Sequence, residues 1–178
     1  FYGSTLNTRQ YATKGYLEKL IAQVFTGRER FEPGNPQEGY SPSPQERQSW
    51  LQISYMKEAY HTMGPKFTLG WMAEALYSSK NFSENYTATM MQAGEFAPTP
   101  HSKLMYNEAF RANQYVAAGI KPIYVLNDMF QFRTEFYGFT PIFPIKKNAL
   151  NKAYYGKAFS RFEYMGEVSV ICHLPFGA

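Results

Sequence analysis

Residues 129–137 read Met-Phe-Gln-Phe-Arg-Thr-Glu-Phe-Tyr, an alternation of apolar and polar side chains. Strand side chains point to opposite faces with period two, so Phe130, Phe132 and Phe136 share one face and Gln131, Arg133 and Glu135 the other. Residues 161–174 repeat the pattern. Phe162, Tyr164, Val168, Val170, Cys172 and Leu174 fall on one side, and Arg161, Glu163, Glu167, Ser169 and His173 on the other. A sheet in water hides its rings and shows its charges. A transmembrane barrel inverts that layout, with rings toward lipid and charges toward a wet lumen. One strand fits both, so the rest of the chain has to decide.

Composition favours the inverted layout. Aromatic residues make up 18% of the chain, nearly all Tyr and Phe, against five valines, and the mean hydropathy is −0.44. Strand-rich soluble cores lean on Val and Ile. Here Phe, Tyr and Met carry the apolar load, as they do where rings meet lipid and headgroups. The longest apolar runs are a few residues, far short of the roughly 20 that a membrane helix needs, whereas a barrel strand needs only every second residue to face lipid. The 178 residues suffice for one domain with a sizeable core.

A net charge of +4 and a pI near 9.0 raise the question of nucleic acid. The basic residues are scattered, and the densest groups, Arg28/Arg30 and Lys146/Lys147, fall in expected loops. No RNP, zinc-finger or helix-turn-helix spacing accompanies them, so nucleic acid is not an expected partner. Cys172 has no second cysteine to pair with, and it reads as a small packed or lipid-facing residue. The chain opens at Phe1 without a signal segment and stops just past a strand in full stride, which predicts a longer parent protein.

Seven strands are predicted, over 13–26, 48–60, 66–77, 84–92, 112–126, 129–140 and 161–174. Long loops are expected near 27–47, 94–108 and 141–158; the first holds Pro33, Pro36, Pro42 and Pro44. Asn127-Asp128 reads as a tight two-residue turn. Short and long connections nearly alternate, except that the fourth and fifth strands are also joined by a long link. The fold class expected is therefore all-β: an antiparallel up-and-down transmembrane barrel, with this chain supplying about seven strands of a larger one. Pro122 interrupts the fifth strand, and a bulge or an edge position would tolerate it.

The lumen-facing set is Lys121, Gln131, Arg133, Glu135, Glu163 and Glu167; the lipid-facing set is Phe130, Phe132, Phe136, Phe162, Tyr164, Val168 and Val170. The lumen charges are of both signs, which suits a cross-strand salt-bridge lattice better than an ion-selective pore. His61, His101 and His173 are far apart and no ligand spacing joins them, so no metal and no cofactor is assigned. Gly39-Tyr-Ser41-Pro-Ser43 comes nearest to a hydrolase elbow but ends in Ser and sits in a proline-rich loop, so no catalytic residue is assigned either.

Several phrases carry a family resemblance: Gln10-Tyr-Ala-Thr-Lys-Gly15, Thr26-Gly-Arg-Glu-Arg-Phe-Glu-Pro-Gly34, Phe96-Ala-Pro-Thr-Pro-His101, Arg111-Ala-Asn-Gln-Tyr115, Arg133-Thr-Glu-Phe-Tyr-Gly138 and Tyr155-Gly-Lys-Ala-Phe159. Together they resemble the C-terminal, BamA-type outer-membrane barrel of bacterial patatin-like phospholipases. The resemblance implies residence in the bacterial outer membrane and contact with membrane lipids and with the outer-membrane assembly machinery during insertion. It also implies an N-terminal serine lipid-acyl hydrolase domain that this barrel would anchor or export. The Val-Arg-Gly-Phe/Tyr signature of BamA-type assembly proteins is absent, which argues against an assembly or translocation barrel. That alternative stays open, as do a soluble lipid-binding barrel, a channel, and a homo- or hetero-complex in the membrane.

Overall fold

The two alternating segments become neighbouring strands. In the computed structural model, which describes residues 1–29, 46–127 and 129–173, they pair antiparallel, with Phe132 opposite Val170 and Glu135 opposite Glu167. The chain runs β1 (Tyr2–Ser4), β2 (Gly15–Glu29), β3 (Glu46–Thr62), β4 (Phe67–Ser78) and a helix α1 (Tyr86–Gln92). It continues through β5 (Gly94–Glu95), β6 (Arg111–Ala112), β7 (Gln114–Val125), β8 (Phe130–Pro141), β9 (Ile145–Lys147), β10 (Ala153–Tyr155) and β11 (Glu163–Cys172). Seven strands form one antiparallel sheet in the order β1-β2-β3-β4-β7-β8-β11, while β5–β6 and β9–β10 are separate ribbons. Sheet neighbours follow chain order, so the sheet is an up-and-down meander. Its edges are β1 and β11, and among the described residues it does not close on itself.

Six of the predicted strands correspond to β2, β3, β4, β7, β8 and β11. The segment 84–92 does not become a strand. Asn85 is extended and its side chain accepts a hydrogen bond from the Ala88 N–H at 2.7 Å, which caps the start of α1. The Thr89 hydroxyl bonds back to the Asn85 carbonyl at 2.9 Å, and Ala93 N–H closes the last turn on the Thr89 carbonyl. At the other end, Arg111 Nη1 donates to the carbonyls of Met91 at 3.1 Å and Ala93 at 3.3 Å, a cation against the negative end of the helix.

With that strand removed, the two longest described connections leave from one end of the sheet, while the ten-residue link 5–14 between β1 and β2 lies at the other. Residues 63–66 turn the chain at the end of that link, where β7 also passes into β8, and 79–113 and 142–162 leave from the opposite end; residues 30–45 lie outside the described residues. The excursion expected near 94–108 is thus the longer 79–113. Asp128, Leu174 and 175–178 also fall outside the described residues. Asn127 nevertheless closes its turn by accepting from the N–H groups of Met129 at 3.0 Å and Phe130 at 2.8 Å.

Pro122 sits in a central strand, without an edge or a bulge. The residue count between β7 and β8 is unbroken, but the ladder drops the pairs at Lys121 and Pro122, where the missing N–H would have pointed. The core lies on one face only. Segment 79–113 lays Phe96 and Phe110 against Met72, Leu76, Tyr115, Tyr137 and Phe139 of β4, β7 and β8. Residues 5–14 cover the adjoining part of that face. They join β2 at Gly15, whose φ of +91° and 2.2 Å approach of a virtual Cβ to the Thr5 carbonyl oxygen admit no side chain.

Candidate functional site

The covered face carries the charges. Lys121 is 4% exposed, Gln131 2%, Arg133 2% and Glu135 8%, so four of the six predicted lumen residues are buried together. Arg133 fans its donors over four partners. Nε and Nη2 reach Glu135 Oε1 at 3.3 Å, Nη1 reaches the Ala12 carbonyl at 3.0 Å and Gln131 Oε1 at 3.5 Å, and Nη2 reaches Tyr60 Oη at 3.5 Å. Lys121 pairs with Glu58 Oε2 at 3.3 Å. Tyr60 donates to Glu58 and Tyr137 to Glu135. Two cations and two carboxylates therefore cancel, and each has a partner of opposite charge, which makes burial tolerable.

The geometry corrects the expected lattice. Arg133–Glu135 lies within one strand, two residues apart, and Lys121–Glu58 spans from β7 to β3 across β4. It can do so because the strand between offers Gly70. A Cβ there would meet the Tyr60 ring at 2.7 Å and Lys121 Cβ at 3.1 Å. Glu163 and Glu167 stand apart from this network. Glu163 takes Arg161 Nε at 2.8 Å, and Glu167 takes His101 Nδ1 at 3.1 Å. Sequence reading missed Glu58, Tyr60, Tyr137 and the carbonyl of Ala12. Glu58 and Tyr60 share a strand face by the same period of two, which was the available signal.

The other face is open and apolar. Phe130 is 38% exposed, Phe132 41%, Phe136 53% and Tyr164 81%, with Phe162, Val168 and Val170 exposed too. Cys172 lies on this face, opposite Phe130 in β8. The apolar band is oblique to the strands. On β2 its outward members are Tyr16, Leu20, Ala22 and Val24, before the polar Thr26 and Arg28. Tyr16 is level, strand by strand, with Ala59, Trp71, Ile120, Phe136 and Gly166. On β11, however, the band continues past Gly166 through Val168 and Val170 to Cys172. Conversely the row Ala22–Ile53–Tyr77 runs into the polar Gln114 on β7. The margins shift by about four to six residues, ~13–20 Å, across five strand spacings, ~24 Å, a slope of roughly 30–40°.

Other features yield no chemistry of their own. Among the described residues no group of three or more His, Cys, Asp or Glu could hold a metal. Among the described residues no helix is long and apolar enough to cross a membrane. Tyr86 of α1 is buried, its hydroxyl donating to Glu108, and burial with that carboxylate pushes its pKa up to about 12. The serines of the 39–43 segment lie outside the described residues. Comparisons with protein-family models, with curated proteins and with solved structures found no match.

Proposed function

We propose that this chain forms part of the wall of a bacterial outer-membrane β-barrel, and that the barrel anchors or exports a lipid-acyl hydrolase domain of the patatin-like phospholipase class. The sloping apolar band carries the membrane half of this reading. Strands of a membrane barrel tilt by ~35–45°, so a band parallel to the membrane must cross their hydrogen-bonded rows obliquely. A band on a soluble sheet has no reason to slope at that angle. The buried charges on the opposite face support the same reading, as does the departure of the two longest described connections, 79–113 and 142–162, from one end, since such barrels have long loops outside and short turns toward the periplasm. The hydrolase half rests on the resemblance of the quoted phrases, and it puts the catalytic work in another part of a longer protein. In lipid the free N–H and C=O groups along β1 and β11 would each cost several kcal/mol, so further strands are needed for closure.

The test places a photoreactive side chain at position 132 of the intact protein in phospholipid vesicles, with a second variant carrying it at position 139. Position 132 is expected to form adducts with lipid. Position 139, in the core, is expected to label only protein. A compact, detergent-free soluble protein without lipid adducts at 132 would remove the membrane reading.

A further inference from the structure

On the outer face the band is interrupted by charge at one place. Glu18 of β2 and Lys57 of β3 stand directly opposite each other and project outward, one row from Leu20 and Tyr55 on the apolar side. On the other side lie Tyr16, Ala59 and Trp71 in one row, toward the short-turn end. A depression of about 500 Å³ opens here, lined by Tyr16, Ala59, His61 and Trp71, with Glu18 and Lys57 along its rim. The two charges pair only at long range. Their closest approach is 3.9 Å, and Glu18 Oε1 is taken at 2.7 Å by the Tyr55 hydroxyl. Among the described residues no other charged group approaches Lys57. A half-buried pair of that length contributes little to stability, yet charges beside hydrocarbon are costly unless they are partnered.

Three features select the partner. The rim presents a cation and an anion side by side, complementary to a zwitterion with a phosphate for Lys57 and an ammonium for Glu18. The rings of Tyr16 and Trp71 are the residue types that settle at headgroup depth and that attract ammonium groups. Next to the rim, Ala73, Ala75 and Ala118 are level with or one row beyond Lys57, so only small side chains stand between the rim and the apolar band. A headgroup and its acyl chain thus have adjoining places. Resting on the membrane reading above, we infer that Glu18, Lys57, Tyr16 and Trp71 form a site for a zwitterionic phospholipid with a primary ammonium headgroup, at the short-turn margin of the band.

The experiment uses intact protein reconstituted in vesicles containing acyl-brominated phosphatidylethanolamine or, separately, acyl-brominated phosphatidylglycerol at the same low mole fraction. Bromine quenches nearby indole fluorescence, and the difference from a Trp71→Phe protein isolates the Trp71 signal. Brominated phosphatidylethanolamine is expected to quench Trp71 about threefold more effectively, the scale of one partly exposed charge contact. Lys57→Gln and Glu18→Gln are each expected to bring that ratio down toward one; as exposed-face changes they should leave the fold intact. Equal quenching by the two lipids, or a preference unchanged in both variants, would overturn the site while leaving the membrane reading standing. No quenching by either lipid would remove both.

Discussion

Arg133 is the residue on which the covered face turns. Its guanidinium is 2% exposed and is shared among Glu135, Gln131, Tyr60 and the Ala12 carbonyl, so it ties β8 to β3 and to the 5–14 segment. Arg133→Ala would leave Glu135 buried without its cation and is expected to destabilise by about 3–5 kcal/mol, measured as denaturant unfolding of the folded protein in detergent micelles. Arg133→Lys keeps the charge but loses the fork, and should fall between the two. The alternation in the sequence was enough to put Gln131, Arg133 and Glu135 on one face. It could not supply their partners, because Ala12 and Tyr60 lie 121 and 73 positions away along the chain. Spacing reports which face a side chain takes; only the tertiary fold reports what covers that face.

Helix α1 is the element where pattern reading failed, and its cap explains why. Tyr86, Ala88 and Met90 alternate with Thr87 and Thr89, which mimics a half-buried strand over so short a run. Asn85 was the opposing signal, since an Asn before such a run satisfies orphan N–H groups of a helix start. Asn85→Ala is expected to cost about 1 kcal/mol and to speed amide exchange across residues 86–92, with Asn85→Asp keeping protection. The neighbouring loop misled in another way. Phe96 is 1% exposed and central to the core, yet it stands beside Glu95 and before Ala97-Pro98 in a stretch with no period. Tyr86 adds a pH test at this element. An ordinary tyrosine titrates near 10.0 and this one is raised to about 12, so its neutral form is favoured in the folded state. The contribution is full below pH 10 and is lost as pH rises through 12. A Tyr86→Phe protein should lose that part of the alkaline stability loss, read from unfolding midpoints between those two values.

At the scale of the molecule, the meander was legible because six alternating segments follow one another with turn residues between them. Whether the sheet closes was not, since that depends on which edges meet. Nor was the fate of the inner face, since a polar-looking excursion supplied its cover. On the proposed membrane reading, the placement of segment 79–113 bears on conduction. Phe96 stacks on Phe139 with centroids 5.9 Å apart, Phe110 lies 5.6 Å from Phe139, and Met72 and Leu76 complete an apolar layer where a pore would need water. The buried network beside it is electrically neutral, with Lys121 and Arg133 set against Glu58 and Glu135, so it offers no field to select one sign of ion. The intact protein in a planar bilayer is therefore expected to be silent or to flicker. Replacing residues 80–112 by a short turn should convert it to steady, ohmic conductance. A milder Phe96→Ser, Phe110→Ser protein, which keeps the backbone of the cover but wets its contact with the sheet, should show frequent openings. Steady conductance from the unaltered protein would mean that segment 79–113 does not block the lumen. Silence from an inserted protein lacking 80–112 would mean that another part of the barrel closes it.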